Sequence, residues 1–395
     1  MKKVLIIGAG FLQDFVIRKA KAMGYETIAV DANPASVGFR HADKYKVINI
    51  VDEKACLAYA KEENIDGVLT AATDYGVLTA AYIAKELGLP GLDYEVAKLI
   101  KNKYQVRKRL FEAKVDDTEQ AYEVRENTDL AALAEKLSFP VMVKPCDGSG
   151  SRGASRVDAA DGLEQACRFA MESSASRCAT VETFIFGKEY GAESIVVDGE
   201  VHVLGIMKKR MTEPPYYAEL GHAMPSDLPK EVEEKAKHCV KCAMKALGIN
   251  FGSVNMDMII TQDGTIHIVD IGARMGGNLI GSHIIPYGTG IPYIENMIKA
   301  HTGDSIDLKP AQVPQSVASY ILALDAGVVE QLPAMQSSDD IKIEHHLQIG
   351  DTIHKYRTNL DGCGYVVCVA DTVDHAEKKA EREKERIDLG IKRKK

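Results

Sequence analysis

The first 95 residues alternate between short apolar runs and amphipathic stretches, and this alternation restricts the fold more than any other feature of the chain. "KKVLIIGAG" predicts a buried strand ending in a glycine turn, "FLQDFVIRKAKAMGY" a helix and "ETIAVDANP" a second strand. The alternation continues through "DKYKVINIV", "DEKACLAYAKEENI", "DGVLTAATD" and "YGVLTAAYIAKELGL". Residues 1–95 are therefore predicted to form a doubly wound α/β domain.

The glycine turn "GAGFLQ" also suggests a dinucleotide site, because Asp31 stands where the ribose-binding acid of the G-x-G-x-x-G pattern would stand. Gln13 replaces the third glycine, which normally permits close helix–strand packing beneath a dinucleotide. An NAD-dependent oxidoreductase is therefore an alternative function. The favoured interpretation is a tight turn that shapes one wall of a cleft.

Composition narrows the class of partner. The chain has 395 residues, 46% hydrophobic and 27% charged, and a formal net charge of −8. That charge argues against a general nucleic-acid or membrane-surface binder, and no apolar run reaches the length of a membrane span. The chain start does not fit a secretion signal, since Met1-Lys2-Lys3 leads into a short apolar run that ends at glycine. We expect a cytoplasmic protein with small-molecule partners.

The eight cysteines are scattered, and only Cys239 and Cys242 have C-x-x-C spacing. They fall in "PKEVEEKAKHCVKCAMKALG", whose apolar residues recur at helical spacing. A zinc site needs a second ligand pair at matching spacing, and the sequence has none. Both are therefore expected to be core cysteines, in a reducing compartment.

A glycine-rich loop follows an apolar strand in "FPVMVKPCDGSGSRGASRV". Gly148, Gly150 and Gly153 leave backbone N–H groups free to surround an anion. Lys144, at the end of the strand, would place a cation near bound phosphates. The loop is not a P-loop, because no G-K-[ST] follows at the required spacing. On the loop alone, a flexible hairpin is the alternative.

Two carboxylates are predicted to face each other across "GSVNMDMIITQDGTIHIVDIGAR", which reads as a hairpin with a D-G turn at 263–264. Its two arms carry Asp257 and Asp270. Paired carboxylates near a phosphate loop indicate Mg²⁺, a hard cation that prefers oxygen ligands and is completed by substrate phosphates. Two solvated strand-end aspartates are the alternative.

In order and spacing, these features resemble the ATP-grasp superfamily of ligases over nearly the whole chain. The opening "GAGFLQ…AKAMGYETIAVDANP" is similar to the domain that precedes the grasp in biotin carboxylase and carbamoyl phosphate synthetase. The resemblance implies a doubly wound N-terminal domain (1–95), an ATP-grasp fold (96–310, with a lid subdomain at about 115–182) and a small α+β C-terminal domain (311–395).

The resemblance also assigns roles. Lys103 and Lys144 would approach the ATP phosphates beneath a lid at 146–154, the hinge "ETFI" would bind the adenine edge, and Glu189 would hold the ribose. The implied ATP site comprises Lys103, Lys144, Gly148, Ser149, Gly150, Glu182, Thr183, Phe184, Ile185 and Glu189. The implied metal ligands are Asp257 and Asp270, holding Mg²⁺ with Mn²⁺ as the alternative ion.

One string departs from the pattern. Many members of the superfamily read E-x-N-x-R, whereas "VDIGARMGGNLI" has Gly272 in place of the metal-binding asparagine. The second metal would then be weaker, or be completed by water, Asn255 or Asn278. Arg274 matches the arginine that meets the acyl phosphate, and Gly276 and Gly277 would allow substrate to approach it closely.

The segment "YYAELGHAMPSDLP" resembles the substrate loop of amino-acid and dipeptide ligases, which places Glu219 and His222 near the acceptor. The predicted function is an ADP-forming carboxylate–amine ligase, working through an acyl phosphate on an amino acid or small peptide-like acid. Its partners would be a small-molecule carboxylate and amine, and a homodimer is the family default. A carboxyphosphate-forming ligase of purine or biotin carboxylase type and a non-catalytic nucleotide sensor are further alternatives.

The last 85 residues predict a strand in "CGYVVCVADT" and a charged helix in "VDHAEKKAEREKERIDLG". The terminal "KRKK" resembles a localisation signal, and a frayed basic helix end fits the helix dipole equally well.

Overall fold

The computed structural model describes residues 1–116, 121–148, 150, 152–214 and 216–394. The helices are α1 (Phe11–Ala22), α2 (Glu53–Glu63), α3 (Val77–Leu87), α4 (Tyr94–Lys101), α5 (Lys103–Glu112), α6 (Leu130–Ala134), α7 (Leu163–Glu172), α8 (Lys230–Leu247), α9 (Ile285–Thr289), α10 (Tyr293–His301) and α11 (Val373–Gly390). None of the helices within the described ranges is both long and apolar enough to cross a membrane.

The strands fall into four sheets. They are β1 (Lys3–Ile7), β2 (Glu26–Asp31), β3 (Lys44–Val47), β4 (Gly67–Thr70), β5 (Ala121–Val124), β6 (Val141–Pro145), β7 (Ser155–Val157), β8 (Ala179–Thr183), β9 (Lys188–Val197), β10 (Glu200–Met211), β11 (Glu219–Met224), β12 (Gly252–Ile260), β13 (Ile266–Gly272), β14 (Ser316–Ile321), β15 (Gly327–Gln331), β16 (Ile341–His345), β17 (Thr352–Ile353), β18 (Gly364–Ala370) and β19 (Lys392–Lys394).

The N-terminal strands form a parallel sheet in the order β3-β2-β1-β4, as the strand–helix alternation predicts. The polar groups around its glycine turn form hydrogen bonds with one another. Asp31 accepts hydrogen bonds from the backbone N–H groups of Ala9 (2.8 Å) and Asn33 (2.9 Å), and the Gln13 side chain donates to the Ala71 carbonyl (2.6 Å). These bonds fit a turn that shapes a cleft wall.

A short break separates α4 from α5 and positions the first lysine of the site. The Asn102 side chain caps α5 by accepting from the backbone N–H of Gln105 at 3.1 Å. Lys103 is therefore the first residue of α5, and its backbone N–H donates to the Cys146 carbonyl at 2.8 Å. The cap ties the start of this helix to the glycine-rich loop.

The small sheet β5-β8-β6-β7 carries the second lysine and the first acid. Its strands are antiparallel, and Lys144 lies opposite Thr180 while Glu182 lies opposite Met142. Helix α7 covers this sheet with a separate apolar core. The predicted lid residues thus extend from a small, independently packed layer.

A long antiparallel sheet runs through the rest of the molecule in the order β13-β12-β9-β10-β11-β14-β18-β16. Helix α8 packs on one face, and the N-terminal domain and α10 contribute to the core on the other. The predicted boundary at 310 falls between β11 and β14, which pair through Ala223–Ala318 and Met224–Val317. The three domain ranges stay a prediction, since the sheet continues across this one.

Two expectations about surface segments are wrong. Lys392–Lys394 is not a frayed helix end: α11 ends at Gly390, Ile391 is buried, and the following residues pair as β19 with β15. The buried Ile391 side chain holds the chain where it leaves α11 and turns back to pair as β19. Cys242 is only half-buried and is not among the residues of the apolar cores described, so it is not a core cysteine, whereas Cys239 is half-buried and packs against the core beneath α8.

Candidate functional site

The β12–β13 hairpin brings the two predicted metal carboxylates together. Asp257 and Asp270 are direct cross-strand partners, and the register shifts immediately after Asp257. Because directly opposite residues of an antiparallel pair share one face of the sheet, both carboxylates point to the same side.

A first group of charges, here called the lid-side cluster, comprises Lys103, Arg107, Lys144, Glu182 and Asp270. Lys103 pairs with Asp270, and the Lys144 ammonium lies 2.9 Å from Glu182 and 3.1 Å from the Val269 carbonyl. Arg107 lies 3.4 Å from Glu182.

The charges of the lid-side cluster compensate one another. Burial opposes the ionised form of both acids, but Lys103 lowers the pKa of Asp270, and Lys144 and Arg107 lower the pKa of Glu182. Arg107 also pairs with Asp116 at 2.7 Å. Every cation of this cluster therefore has an acidic partner.

A second group, here called the Lys209 cluster, comprises Lys209, Glu189, Glu219 and Asp257. The Lys209 ammonium lies 2.6 Å from Glu219, 2.9 Å from Asp257 and 3.6 Å from Glu189, and its side chain is only 2% exposed. Burial opposes its charge, yet Asp257 and Glu219 raise the pKa of Lys209 well above the usual range. One cation here faces three carboxylates.

The acids of the Lys209 cluster differ in the direction in which their pKa values are shifted. Burial raises the pKa of Asp257 to about 6 despite Lys209. At Glu219, burial is opposed by Lys209 together with further groups that include Arg274, and the pKa falls to about 2. The neighbouring His222 is buried, which lowers its pKa to about 4, and its Nε2 lies 3.9 Å from Glu219. At neutral pH, Glu219 is therefore ionised and His222 is neutral.

Glu219 is also where the C-terminal segment reaches the cleft. Its carboxylate accepts from the Asn359 amide at 2.9 Å and from the Asn278 amide, and the Tyr356 hydroxyl donates to its carbonyl. The Tyr365 hydroxyl in turn donates to the Asn278 side chain at 3.1 Å. The predicted substrate loop is thus held by side chains from both the ATP-grasp and the C-terminal segments.

Arg274 lies against the N-terminal domain. Its Nε and one terminal nitrogen bond both oxygens of Asp74, at 2.9 and 3.1 Å. Its other terminal nitrogen, Nη1, is buried and has no hydrogen-bond partner within the described ranges. A donor in this position remains available for an anionic ligand.

The glycine that replaces the expected asparagine makes room for this pair. A Cβ at Gly272 would lie 2.8 Å from the Arg274 guanidinium carbon and 2.9 Å from an Asp74 oxygen. Of the two suggested substitutes, Asn278 already uses its amide oxygen to accept from Tyr365 at 3.1 Å, and Asn255 is oriented by the bond from its amide nitrogen to Glu193 at 3.0 Å. The space taken by Arg274 and Asp74 therefore explains why a glycine, and not an asparagine, stands at position 272.

The glycines after Arg274 differ from each other. The Gly276 N–H donates to Glu193 at 3.0 Å, so in this arrangement it serves the protein. Glu193 is fully buried and also accepts from the Tyr293 hydroxyl at 2.6 Å. Burial raises the pKa of Glu193 to about 7. A Cβ at Gly277 would meet only Leu12, at 3.6 Å, which leaves its surroundings open.

The donor set fits a hard divalent cation. Lys209 bonds Oδ1 of Asp257, and Lys103 bonds Oδ1 of Asp270. For residues that the structure describes, all bonds of these two carboxylates fall on Oδ1, so that both Oδ2 atoms remain for a metal. Carboxylate oxygens suit Mg²⁺ or Mn²⁺.

The hinge and lid lie beside these clusters. Thr183 closes β8, and the Phe184 N–H donates to the Pro140 carbonyl at 3.2 Å. The Arg156 guanidinium lies 4.7 Å from the centre of the Phe184 ring and 5.4 Å from the centre of the Phe186 ring. Aromatic rings on both sides of Ile185 and one cationic group therefore line the hinge. These flat groups could flank a purine.

The glycine-rich loop is described only in part. Gly150 has φ +65°, a conformation that favours glycine, and Ser149 lies outside the described residues. The Arg152 guanidinium reaches the Tyr75 hydroxyl of the N-terminal domain at 2.5 Å. Gly148 borders a small cavity together with Lys103 and Asp270, which places the loop at the lid-side cluster.

Sequence reasoning missed four residues that complete the site. Asp74 is the partner of Arg274, Lys209 is the buried cation, and Asn359 and Tyr356 connect the C-terminal segment to Glu219. Only Lys209 had a visible signal, as one of two lysines inside an apolar strand, and the strand alone does not say which of the two faces the cleft.

Comparisons with known proteins agree with this architecture. Residues 137–282 match the ATP-grasp domain, and residues 320–392 match the L-amino acid ligase C-terminal domain 2. A solved L-amino acid ligase from Bacillus licheniformis superposes with a TM-score of 0.85 at 22% identity, covering 100% of this chain and 99% of that one. A phosphoribosylglycinamide synthetase from Anaerococcus prevotii gives 0.79 at 25% identity, covering 100% and 99%.

A curated relative extends the comparison. The formate-dependent phosphoribosylglycinamide formyltransferase of Sulfurisphaera tokodaii is 22% identical, over 96% of this chain and 95% of that protein. Fold, site and matches together define an ATP-grasp enzyme, which confirms the predicted resemblance and fold class. More particularly, the chain carries an ATP-grasp domain that is followed by an L-amino acid ligase C-terminal domain.

Proposed function

We propose that this protein is an ADP-forming ligase that joins the carboxylate of one amino acid, or small peptide-like acid, to the amine of another. The observation that carries the proposal is the bonding of Glu219 by Asn359 and Tyr356. Both of these residues come from the segment that matches the L-amino acid ligase C-terminal domain. Glu219 pairs with Lys209 at 2.6 Å, but Lys209 also faces Asp257 and Glu189, and this excess of carboxylates over cations suits a substrate ammonium group.

The first step transfers phosphate. The acid's carboxylate attacks the γ-phosphorus of ATP, giving an acyl phosphate and ADP. Phosphoryl transfer depends on positioning and charge neutralisation. We assign the phosphate contacts to Lys103 and Lys144, which would exchange their carboxylate partners for phosphate oxygens. Asp257 and Asp270 would hold magnesium, which supplies charge neutralisation at the phosphates when bound.

The second step forms the C–N bond. The amine nitrogen attacks the acyl carbon, phosphate leaves, and the ammonium proton is released. We assign to Arg274 the negative charge that develops on the acyl oxygen, since its unpartnered Nη1 can donate there. Glu219 would hold the free α-ammonium of a substrate, and the loop 146–154 would exclude water from the acyl phosphate.

Phosphate release decides between the candidate acids. The purified protein is incubated with ATP and Mg²⁺ and with single amino acids, amino-acid pairs, formate or bicarbonate, and products are weighed by mass spectrometry. We expect release that depends on an amino acid and a product equal to two substrates minus water. Release with bicarbonate or formate and no amino-acid product would favour the carboxyphosphate or formyl route, which the Sulfurisphaera tokodaii relative supports. Nucleotide binding without any release would favour a sensor.

Glu219→Gln tests the substrate assignment within the same assay. The amide keeps the shape and the acceptor oxygen but removes the charge that an ammonium requires. We expect amino-acid-dependent phosphate release to fall by roughly 10²-fold, with ATP binding retained. Unchanged dependence on amino-acid concentration would contradict the assignment of the ammonium to Glu219.

A further inference from the structure

Two cysteines face each other at the base of the glycine-rich loop. Strands β6 and β8 end their pairing at Pro145 and Ala179, and Cys146 and Cys178 occupy the next cross-strand positions. The Cys146 N–H donates to the Cys178 carbonyl at 3.0 Å, and the two sulfur atoms lie 2.7 Å apart. Both side chains are fully buried. The backbone therefore already holds the two thiols side by side.

Their position connects them to the nucleotide site. The Cys146 carbonyl accepts from the Lys103 N–H at 2.8 Å, and Cys178 directly precedes the strand that carries Glu182. Asp147, which follows Cys146 in the chain, accepts from the Ser174 hydroxyl at 2.6 Å and from the Ser176 N–H at 2.9 Å. A covalent link between the sulfurs would fix the start of the loop against this strand.

A carboxylate stands at the same place. The Cys178 thiol donates to Glu123 Oε1 at 3.4 Å, and Arg125 bonds the same oxygen at 2.9 Å. Burial raises the pKa of both thiols, so each keeps its proton at neutral pH. Glu123 is therefore placed to take the proton of Cys178 when that thiol reacts.

Glu123, Cys146 and Cys178 could also be considered as three metal ligands, since their donor atoms lie within 4.8 Å of one another. Two thiolates on one tetrahedral zinc, with Zn–S bonds of about 2.3 Å, would hold their sulfurs roughly 3.8 Å apart. The observed separation is 2.7 Å. The two sulfurs therefore lie closer together than two ligands of one zinc would, and a bound metal is one outcome that the test below separates from a disulfide.

We propose that Cys146 and Cys178 form a reversible intrachain disulfide by exchange with a low-molecular-weight disulfide, and that this bond is coupled to the nucleotide site through the backbone bond between Cys146 and Lys103. Cys178 loses its proton to Glu123 and attacks the small disulfide; the S–S bond of that disulfide breaks, and the small thiolate that leaves takes the proton back from Glu123. Cys146 then attacks the Cys178 sulfur, and the second small thiol leaves with the remaining proton. Two protein thiols and one small disulfide thus give one protein disulfide and two small thiols.

Because the sulfurs are buried, the exchange requires the backbone at Cys146 to shift, and the Cys146 carbonyl is bonded to the N–H of Lys103, so nucleotide binding and oxidation must influence each other. Coupling between two binding or modification equilibria is reciprocal. A nucleotide held by Lys103 should therefore change the ratio of reduced to oxidised small thiol at which half of the pair is oxidised.

The test uses the full-length protein in buffers of fixed reduced-to-oxidised glutathione ratio, with and without Mg²⁺ and a non-hydrolysable ATP analogue. After equilibration, free thiols are alkylated and peptides are weighed. We expect the peptides containing Cys146 and Cys178 to be joined, with the loss of two hydrogens. The analogue should shift the half-oxidation ratio by at least about threefold.

The chain offers a matched control in its C-x-x-C pair. Cys239 contacts the Val115 carbonyl and Cys242 contacts His238, so their sulfurs are directed to different partners. Replacing both by alanine should leave the oxidation unchanged, whereas Cys146→Ala should abolish the joined peptide.

Three results would overturn the proposal. The first is that Cys146 and Cys178 remain alkylatable in wild-type protein, or end as mixed glutathione adducts, across the oxidising ratios. The second is stoichiometric zinc in reduced wild-type protein that is lost in Cys146→Ala, which would assign the site to a metal. The third is a half-oxidation ratio that the analogue does not move, which would remove the coupling. None of these readouts needs a ligase substrate.

Discussion

The lid-side cluster and the Lys209 cluster lie on either side of the Asp257–Asp270 pair, but their charge balance differs. On the lid side, three cations meet Asp270, Glu182 and Asp116 in nearly matched pairs. In the other cluster, Lys209 alone faces three carboxylates. The first can accept phosphates only if its lysines change partners, whereas the second has an excess of negative charge that favours cations. We infer that the lid-side cluster binds the anionic groups of the ligands and that the Lys209 cluster binds their cationic groups.

The largest expected effect comes from removing the carboxylate where the two clusters meet. Asp270→Asn removes a metal ligand and the partner of Lys103, so we expect ATP-dependent turnover to fall by roughly 10³-fold or more with the fold intact. Asp263→Asn, in the exposed turn of the same hairpin, is the matched control and should be near normal. ADP release and circular dichroism measure both; near-normal release from Asp270→Asn would reject the metal assignment.

The next effect compares the two lysines directly. Lys209→Met leaves three partly buried carboxylates without their cation, and we expect the free energy of unfolding to fall by about 3 kcal/mol or more. Lys103→Met should cost at most about 1 kcal/mol, because the Asp270 side chain is the more exposed, at 43% against 15% to 23% for the other three acids. Urea denaturation at neutral pH measures both variants. Equal losses would mean that the clusters do not differ in the way described.

Arg274→Lys separates binding from chemistry. Lysine keeps one charge but loses the planar fork that bonds Asp74 and presents Nη1. We expect ATP affinity to stay near normal and product formation to fall by roughly 10²-fold. Calorimetric binding of an ATP analogue and mass spectrometry of product give the two readouts. Unchanged product formation would reduce Arg274 to a structural ion pair, and lost ATP binding would move it into the nucleotide site.

The smallest effect concerns Glu193, a buried carboxyl bonded only by neutral donors among the residues described. Its pKa is about 7 in the folded protein against an ordinary 4.5. Below 4.5 both states hold the proton; as pH rises, the unfolded chain ionises first, so the stability contributed by this group falls.

We therefore expect wild-type stability to decline between about pH 5 and pH 7 by about 2 kcal/mol more than that of Glu193→Gln. Urea denaturation across this range checks the difference. If stability depends on pH in the same way in the two proteins, the pKa of Glu193 is not raised by folding. A buried acid without a cationic partner would then not differ from the acids that are paired with lysines.

Local patterns predicted the local parts of this molecule. The alternation of apolar runs gave β1, α1 and β2, and the D-G turn gave the β12–β13 hairpin with its facing aspartates. These features depend on neighbours in sequence, and periodicity encodes them directly.

Long-range partners could not be predicted in the same way. Arg274 and Asp74 are 200 residues apart in sequence, and no local pattern links them. In β10, Lys208 and Lys209 point to opposite faces, one to Glu377 and the other into the cleft. The choice depends on the register of β10 against β9, which the strand's own residues do not specify. The roles of the site residues stay predictions for the same reason.

The pairing of β11 with β14 has a consequence for how the protein is made. A chain emerging from the ribosome completes β11 at Met224, but its neighbour begins only at Ser316. Until then, β11 is an open edge with unpaired N–H and C=O groups, which is a hazard for association with other chains. A stalled or proteolysed product ending before 316 would keep that edge permanently. Chaperone dependence and the yield of truncated forms should therefore be governed by the synthesis of β14, the strand that covers this edge.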